Sequence, residues 1–266
     1  MKTILITGAT DGIGLETAKM LAKEGHNLFL HGRSQGKLDN IKGALEAQFP
    51  KSSITVLQAD LLLFEDVKKL AVELKANIDR LDILINNAGV FSIENSITAT
   101  GLDARFMVNT IAPYMLTLSL VDVMDEHSRV INVSSAAQAP VNFAALRGET
   151  QLSDGAAYAQ SKLGIAMWTA YLGEKYQLNG PKMVSVNPKS LLGSKMVKDA
   201  YGVAGDDLKE GAKILAEAAF SDRFDSVAGD YFDNDHNTFA APHPFAGYST
   251  NKKALVAEME EIISAH

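Results

Sequence analysis

The sequence predicts an α/β protein built on a parallel sheet with helices on both faces. Three observations carry this. Short, nearly continuous apolar runs recur at 3–7, 27–31, 54–58, 82–86, 130–133, 183–186 and 230–232. Between them lie longer stretches with apolar residues at helical spacing, such as 13–24 and 64–76. Strands that are apolar at every position need cover on both sides, and the helical crossovers between parallel strands supply it. The alternation runs through the chain with no Pro-, Gly- or Ser-rich linker, internal repeat or low-complexity tract. Residues 1–266 are therefore read as a single domain, a length that one α/β core accommodates.

Composition narrows the function classes. Hydrophobic residues make up 47%, ordinary for a globular protein. Lys and Arg number 25 against 32 Asp and Glu, a net charge of −7, which repels a phosphate backbone and excludes nucleic acid as an expected partner. The absence of cysteine excludes disulfides, thiolate zinc sites and a cysteine nucleophile; it fits a reducing compartment, and a cytoplasmic location is expected. The six histidines show no metal-ligand spacing, so no metal is expected; His236 and His243 fall in a loop. No uninterrupted apolar window reaches about 18 residues, so no membrane span is expected. The apolar run at 2–7 is too short for a signal-peptide core and reads as a buried strand.

The first connection reads Thr7-Gly-Ala-Thr-Asp-Gly-Ile-Gly14, with glycines at 8, 12 and 14 between a strand and a helix. Glycines allow a tight turn and close backbone approach, and the helix start presents N–H groups and a positive dipole end to a diphosphate. Thr7, Gly8, Thr10, Asp11, Gly12, Ile13 and Gly14 are candidate contacts; the competing reading is a glycine-rich turn without a ligand. The second strand ends at His31-Gly-Arg-Ser34. NAD sites usually carry an acid here, about 20 residues past the glycines, on the ribose hydroxyls. Gly32 removes that acid, and Arg33, next to Ser34, offers a guanidinium suited to a 2′-phosphate. NADP(H) is favoured, with NAD(H) the alternative: Asp11 would oppose a phosphate, and Arg33 has a competing reading as a solvated surface residue.

Asp60-Leu61 follows the third run; the acid either accepts from an adenine amino group or caps a helix beginning near Phe64. Asn86-Asn-Ala-Gly89 ends the fourth. Its small residues Asn87, Ala88 and Gly89 would let a flat cofactor lie against the backbone, yet the pattern is also ordinary turn chemistry. Tyr158-Ala-Gln-Ser-Lys162 places a phenol and an ammonium on one helix face, one turn apart. The cation favours the phenolate and moves the tyrosine, which titrates near ~10 when free, toward neutral-pH proton transfer.

The ordered set Thr7-Gly-x-x-x-Gly-x-Gly14, Asn86-Asn-Ala-Gly89, Asn109, Ser134-Ser135, Tyr158-x-x-x-Lys162 and Asn187-Pro188 resembles the short-chain dehydrogenase/reductase family along essentially the whole chain. The long interval from Ser135 to Tyr158 resembles the retinol-dehydrogenase-like branch. The resemblance implies a Rossmann-type, doubly wound sheet of seven parallel strands in the order 3-2-1-4-5-6-7, with the cofactor across their carboxyl ends. It also implies a catalytic tetrad at Asn109, Ser135, Tyr158 and Lys162, with Tyr158 and Lys162 also meeting the cofactor. Of the adjacent serines, Ser135 matches the catalytic position; Ser134 should face the other way. The family usually has glycine after the proline and threonine further on. Here Lys189 follows Pro188, and Ser194 keeps a hydroxyl for the nicotinamide carboxamide. Lys189 reshapes the pocket, favours an anionic substrate, or points to solvent.

The function so implied is hydride transfer between a nicotinamide and a ketone, aldehyde or secondary alcohol of a small, fairly hydrophobic substrate. The expected pocket walls are 136–157 with Phe143, Leu146 and Arg147, 190–210 with Met196, Val197 and Tyr201, and the aromatic segment 231–248. The resemblance also suggests a homodimer or homotetramer. Two rivals are weighed. An extended-branch epimerase or dehydratase would carry a larger substrate domain after Phe232. A non-catalytic dinucleotide-binding redox sensor or regulator would typically lose the tyrosine or lysine.

Overall fold

The computed structural model describes residues 1–194, 197–198 and 202–266. Among these residues, eight strands form one sheet in the order β3-β2-β1-β4-β5-β6-β7-β8. They are β1 Thr3–Ile6, β2 Asn27–Gly32, β3 Ser53–Gln58, β4 Ile83–Asn86, β5 Arg129–Val133, β6 Lys182–Asn187, β7 Asp230–Asp233 and β8 Thr238–Ala240. β1 to β7 pair in parallel, in the expected order and within one residue of the predicted bounds at each end. The difference is β8, which returns antiparallel along β7. Its three residues are exposed and carry no apolar alternation; Phe239 instead anchors it by packing edge-on against Phe224 and Phe232.

Among the described residues, the helices used below are α1 Gly12–Lys23, α2 Gln35–Gln48, α3 Phe64–Lys75, α4 Ala104–Phe106, α5 Ala112–Leu120, α6 Phe143–Leu146, α7 Asp154–Tyr176, α8 Leu208–Phe220 and α9 Ser249–Ser264. Strand side chains alternate between two cores. Ile4 and Ile6 of β1 face α1, α2 and α8, whereas Leu5 faces α3, α5, α7 and α9. That two-sided burial is why the strands read as continuous apolar runs.

A π turn over Met107–Ile111 joins α4 to α5 and carries Asn109. The helical segment Ala104–Val123 has a mean hydropathy of 1.4 and is long enough to span a membrane by length and composition. Arg105, Asn109 and Asp122 interrupt its apolar run, so a search for uninterrupted windows passes over it. It is largely buried, and α5 packs against α3 and α7 as part of the core.

Candidate active site

A cleft of about 710 Å3 lies over the carboxyl ends of β1 to β6. Its floor is the turn after β1. Gly8 and Gly12 have φ of +66° and +56°, the left-handed region that glycine enters without steric cost. Gly14 has no room for a side chain: a Cβ there would lie 2.3 Å from the Gly8 carbonyl oxygen and 2.4 Å from Asn87 Nδ2. The turn is stitched to the end of β4. Thr7 Oγ1 accepts from the N–H groups of Asn87 and Ala88 at 3.0 and 3.1 Å. The Asn87 amide donates back to the carbonyls of Thr7 and Gly8. Gly8, Thr10, Asp11, Gly12 and Ile13 therefore face the cleft, while Thr7 and Gly14 support it from behind. Asp11 caps α1 by accepting from the Gly12 N–H at 2.7 Å. The N–H groups of the first helical turn have no intrahelical partner, and they point an electropositive end at the cleft.

His31 is a cleft residue that the sequence reading passed over. Its Nδ1 accepts from the Gly8 N–H at 3.3 Å, which leaves the proton on Nε2 to donate to the Ala59 carbonyl at 3.1 Å. Burial pushes its pKa down to about 4, against the smaller opposing effect of the Ala59 bond, so the ring is neutral. Arg33 is exposed on the cleft wall, and Gln58 Nε2 holds its carbonyl at 3.1 Å. Ser34 turns away and caps α2 through the Lys37 N–H. Asp60 faces the cleft and accepts from the Leu62 N–H at 3.1 Å. It does not cap α3, whose N-cap is Leu63; Asp66 of α3 instead accepts the Asp60 N–H.

Ser135, Tyr158 and Lys162 all line the same cleft. Lys162 Nζ is buried, donates to the Val133 carbonyl at 2.8 Å and lies 5.7 Å from the Tyr158 ring centre. Burial disfavours the charged form and lowers its pKa to about 8, which still leaves the amine mostly protonated at neutral pH beside the phenol. Ser134 faces away from Ser135: its hydroxyl donates to the Lys162 carbonyl at 2.8 Å and fixes α7 against β5. The Ser135 carbonyl is held twice, by the Tyr231 hydroxyl at 3.1 Å and Gln138 Nε2 at 2.9 Å.

Asn109 sits behind the cleft wall. Its Oδ1 accepts from the Val90 N–H at 2.8 Å, and its Nδ2 donates to the Val90 carbonyl at 3.0 Å and to Ser161 Oγ at 2.9 Å. This clamp directs the chain leaving β4 so that the Phe91 ring lies 4.8 Å from the Tyr158 ring. Arg105, buried and paired with Asp103 and Asp154, reaches the Phe91 carbonyl as well. Neither Phe91 nor Arg105 was singled out from the sequence.

A family profile described as short chain dehydrogenase matches residues 2–201. The chain belongs to this family. Retinol dehydrogenase 12 of Bos taurus is 30% identical over 254 residues, covering 91% of this chain and 80% of the relative. Polyprenol dehydrogenase of Homo sapiens is 29% identical, covering 89% and 78%. Among solved structures, an uncharacterised protein from Mycobacterium paratuberculosis superposes with a TM-score of 0.83 at 22% identity, over 99% of this chain and 94% of that one. A metagenomic short-chain oxidoreductase in complex with NADP gives a TM-score of 0.63 at 25% identity, over 82% and 90%.

In this short-chain dehydrogenase, Lys189 stands where the family usually has glycine, and its φ is +117°, as a glycine would adopt. A residue with a Cβ held there costs on the order of 1–3 kcal/mol. Lys189 borders the cleft, and its ammonium is tied to Glu210 at 2.5 Å and Asp206 at 3.1 Å. Pro188, Leu191, Ser194 and Val197 line the cleft; Lys195, Met196 and Tyr201 lie outside the described residues. Other expected wall residues are placed elsewhere. Leu146 is in the core, Phe143 packs near Phe245, and Arg147 pairs with Glu149 and Glu258. The segment 231–248 backs the wall through Tyr231 rather than lining it, among the described residues.

Proposed function

We propose that this chain is an NADP(H)-preferring oxidoreductase that interconverts a small, apolar ketone or aldehyde and its alcohol, with Asn109, Ser135, Tyr158 and Lys162 in the working roles. The observation that carries the reading is the buried Lys162 ammonium beside Tyr158, inside a cleft whose floor is a glycine turn and a helix start. The cleft fits a dinucleotide. Gly8 packs so closely on Ala88 that a Cβ there would lie 2.8 Å from its Cα, which keeps the floor free of side chains. The start of α1 suits a diphosphate, and Arg33 suits a 2′-phosphate. When bound, the nicotinamide supplies or takes up hydride at the substrate carbon.

The protein's part is orientation and one proton. In the reducing direction the Tyr158 hydroxyl gives its proton to the substrate oxygen, and the Ser135 hydroxyl donates a hydrogen bond to the same oxygen. The Lys162 cation stabilises the phenolate left behind. Asn109 keeps the cleft wall in place through Val90.

An apolar substrate is supported by the lining of Val90, Phe91, Val108, Leu191 and Leu192. The named substrates of the two curated relatives, retinol and polyprenol, are apolar alcohols. Lys189 is neutralised by two carboxylates and gives no reason to invoke an anionic substrate. Self-association belongs to the proposal too, with the partly exposed rings of Phe239 and Tyr248 as candidate contacts. Fluorescence titrations with NADPH and NADH test the cofactor assignment. Tighter NADPH binding that is lost in Arg33→Ala is expected; equal binding of the two, unchanged in the variant, overturns the preference.

A further inference from the structure

The segment 188–192 walls the cleft and carries two non-glycine residues in the left-handed region, Lys189 at +117° and Leu191 at +54°. Such a backbone persists only where its surroundings hold it. Ser190 lies between the two, and its ties run to the turn between β7 and β8. Asp235 Oδ1 accepts from the Ser190 N–H at 2.9 Å. Its Oδ2 accepts from the Ser190 hydroxyl at 2.5 Å and from Asn187 Nδ2 at 2.9 Å. Asn234 Nδ2 donates to the Pro188 carbonyl at 3.0 Å. On the other side, the Asp206 N–H donates to the Leu191 carbonyl and its own carbonyl accepts from Gly193.

We propose that Asp235 is a positioning residue, whose carboxylate holds Ser190 so that 188–192 keeps the strained form that closes one wall of the cofactor cleft. Among the described residues, no other side chain bonds both the N–H and the hydroxyl of Ser190. Charged acceptors make the stronger hydrogen bonds, which suits a tie that must oppose backbone strain. Burial raises the Asp235 pKa, yet the bonds from Ser190 and Asn187 outweigh it and leave the carboxyl below its ordinary value. The inference rests on the oxidoreductase reading for what the cleft binds. It goes beyond that reading by assigning a role to a turn that does not touch the cleft.

Without the tie, 188–192 relaxes in a fraction of the molecules, and apparent cofactor affinity falls by that fraction. Tyr158 and Lys162 sit on α7, to which Asp235 makes no hydrogen bond, so the step after binding should change little. The experiment compares wild type, Asp235→Ala and the isosteric Asp235→Asn by NADPH titration, steady-state kinetics and thermal unfolding. We expect the NADPH dissociation constant to rise about tenfold in Asp235→Ala and less in Asp235→Asn, with kcat within about a factor of two of wild type. Unchanged NADPH affinity in both folded variants overturns the inference and leaves the dehydrogenase reading intact. So does a fall in kcat without a change in affinity. Should Asp235→Ala not fold, Asp235→Asn decides alone by the same criteria. A wild type that binds neither NADPH nor NADH fails the underlying reading and the inference with it.

Discussion

The imidazole of His31 accepts a hydrogen bond from the Gly8 N–H at 3.3 Å, joining the end of β2 to the turn that floors the cleft. The bond needs an unprotonated Nδ1, and burial supplies it by holding the ring pKa at about 4. In the unfolded chain the same ring titrates near ~6.5. Between those values the unfolded state binds a proton that the folded state does not, so stability falls as pH drops through 6.5 and levels off below about 4. The full loss is on the order of 3 kcal/mol, with somewhat under half of it reached by about pH 5.5. Denaturant unfolding at neutral pH and at about pH 5.5 checks this. The pH-dependent part should shrink in His31→Gln; an identical dependence in that variant contradicts the assignment.

Gly14→Ala should injure the cleft from behind. Its new Cβ would fall 2.3 Å from the Gly8 carbonyl oxygen, a backbone atom that cannot swing aside. Moving α1 off the turn costs about 1–3 kcal/mol and spoils the diphosphate site at the same time. Thermal unfolding and cofactor titration should therefore both shift. A variant that loses stability but binds cofactor normally would show that the helix start is not part of the site.

Phe91 lies against Tyr158 at 4.8 Å and faces the cleft, so it should contact the substrate beside the reacting carbon. Truncation in Phe91→Ala removes apolar contact worth roughly 1–2 kcal/mol, about a tenfold fall in kcat/KM for a bulky apolar carbonyl. Cofactor affinity should hold. Comparing kcat/KM across a series of aldehydes of increasing size is the check, and a uniform loss at every size would place Phe91 in a supporting role only.

Much of the fold was legible because it is written locally. The seven parallel strands are buried on both faces and so read as apolar runs, and their order followed from the family resemblance. β8 was not legible, since Phe239 acts through contacts with Phe224 and Phe232 that no local pattern records. In the site, Tyr158 and Lys162 were read as a phenol and a cation one helical turn apart, and Ser135 was picked out by the family resemblance; all three line the cleft. Lys189 was visible as a departure, but its direction depends on where Asp206 and Glu210 arrive from a later part of the chain. His31, Arg105 and Asp235 escaped for the same reason: each works through a hydrogen bond to a residue distant in sequence or to backbone. Phe143, Leu146 and Arg147 were assigned to the pocket by sequence position alone. Burial, ring packing and ion pairs use them elsewhere.

We propose that Tyr158, beside the buried Lys162, delivers the proton that accompanies hydride transfer. The most direct test follows NADPH consumption with an apolar aldehyde in wild type and Tyr158→Phe, alongside NADPH binding to each. Losing the hydroxyl should lower kcat by about 10²–10⁴-fold while NADPH affinity stays nearly that of wild type. Turnover in Tyr158→Phe equal to wild type, or loss of cofactor binding with the chemical step unchanged, would contradict this role for Tyr158.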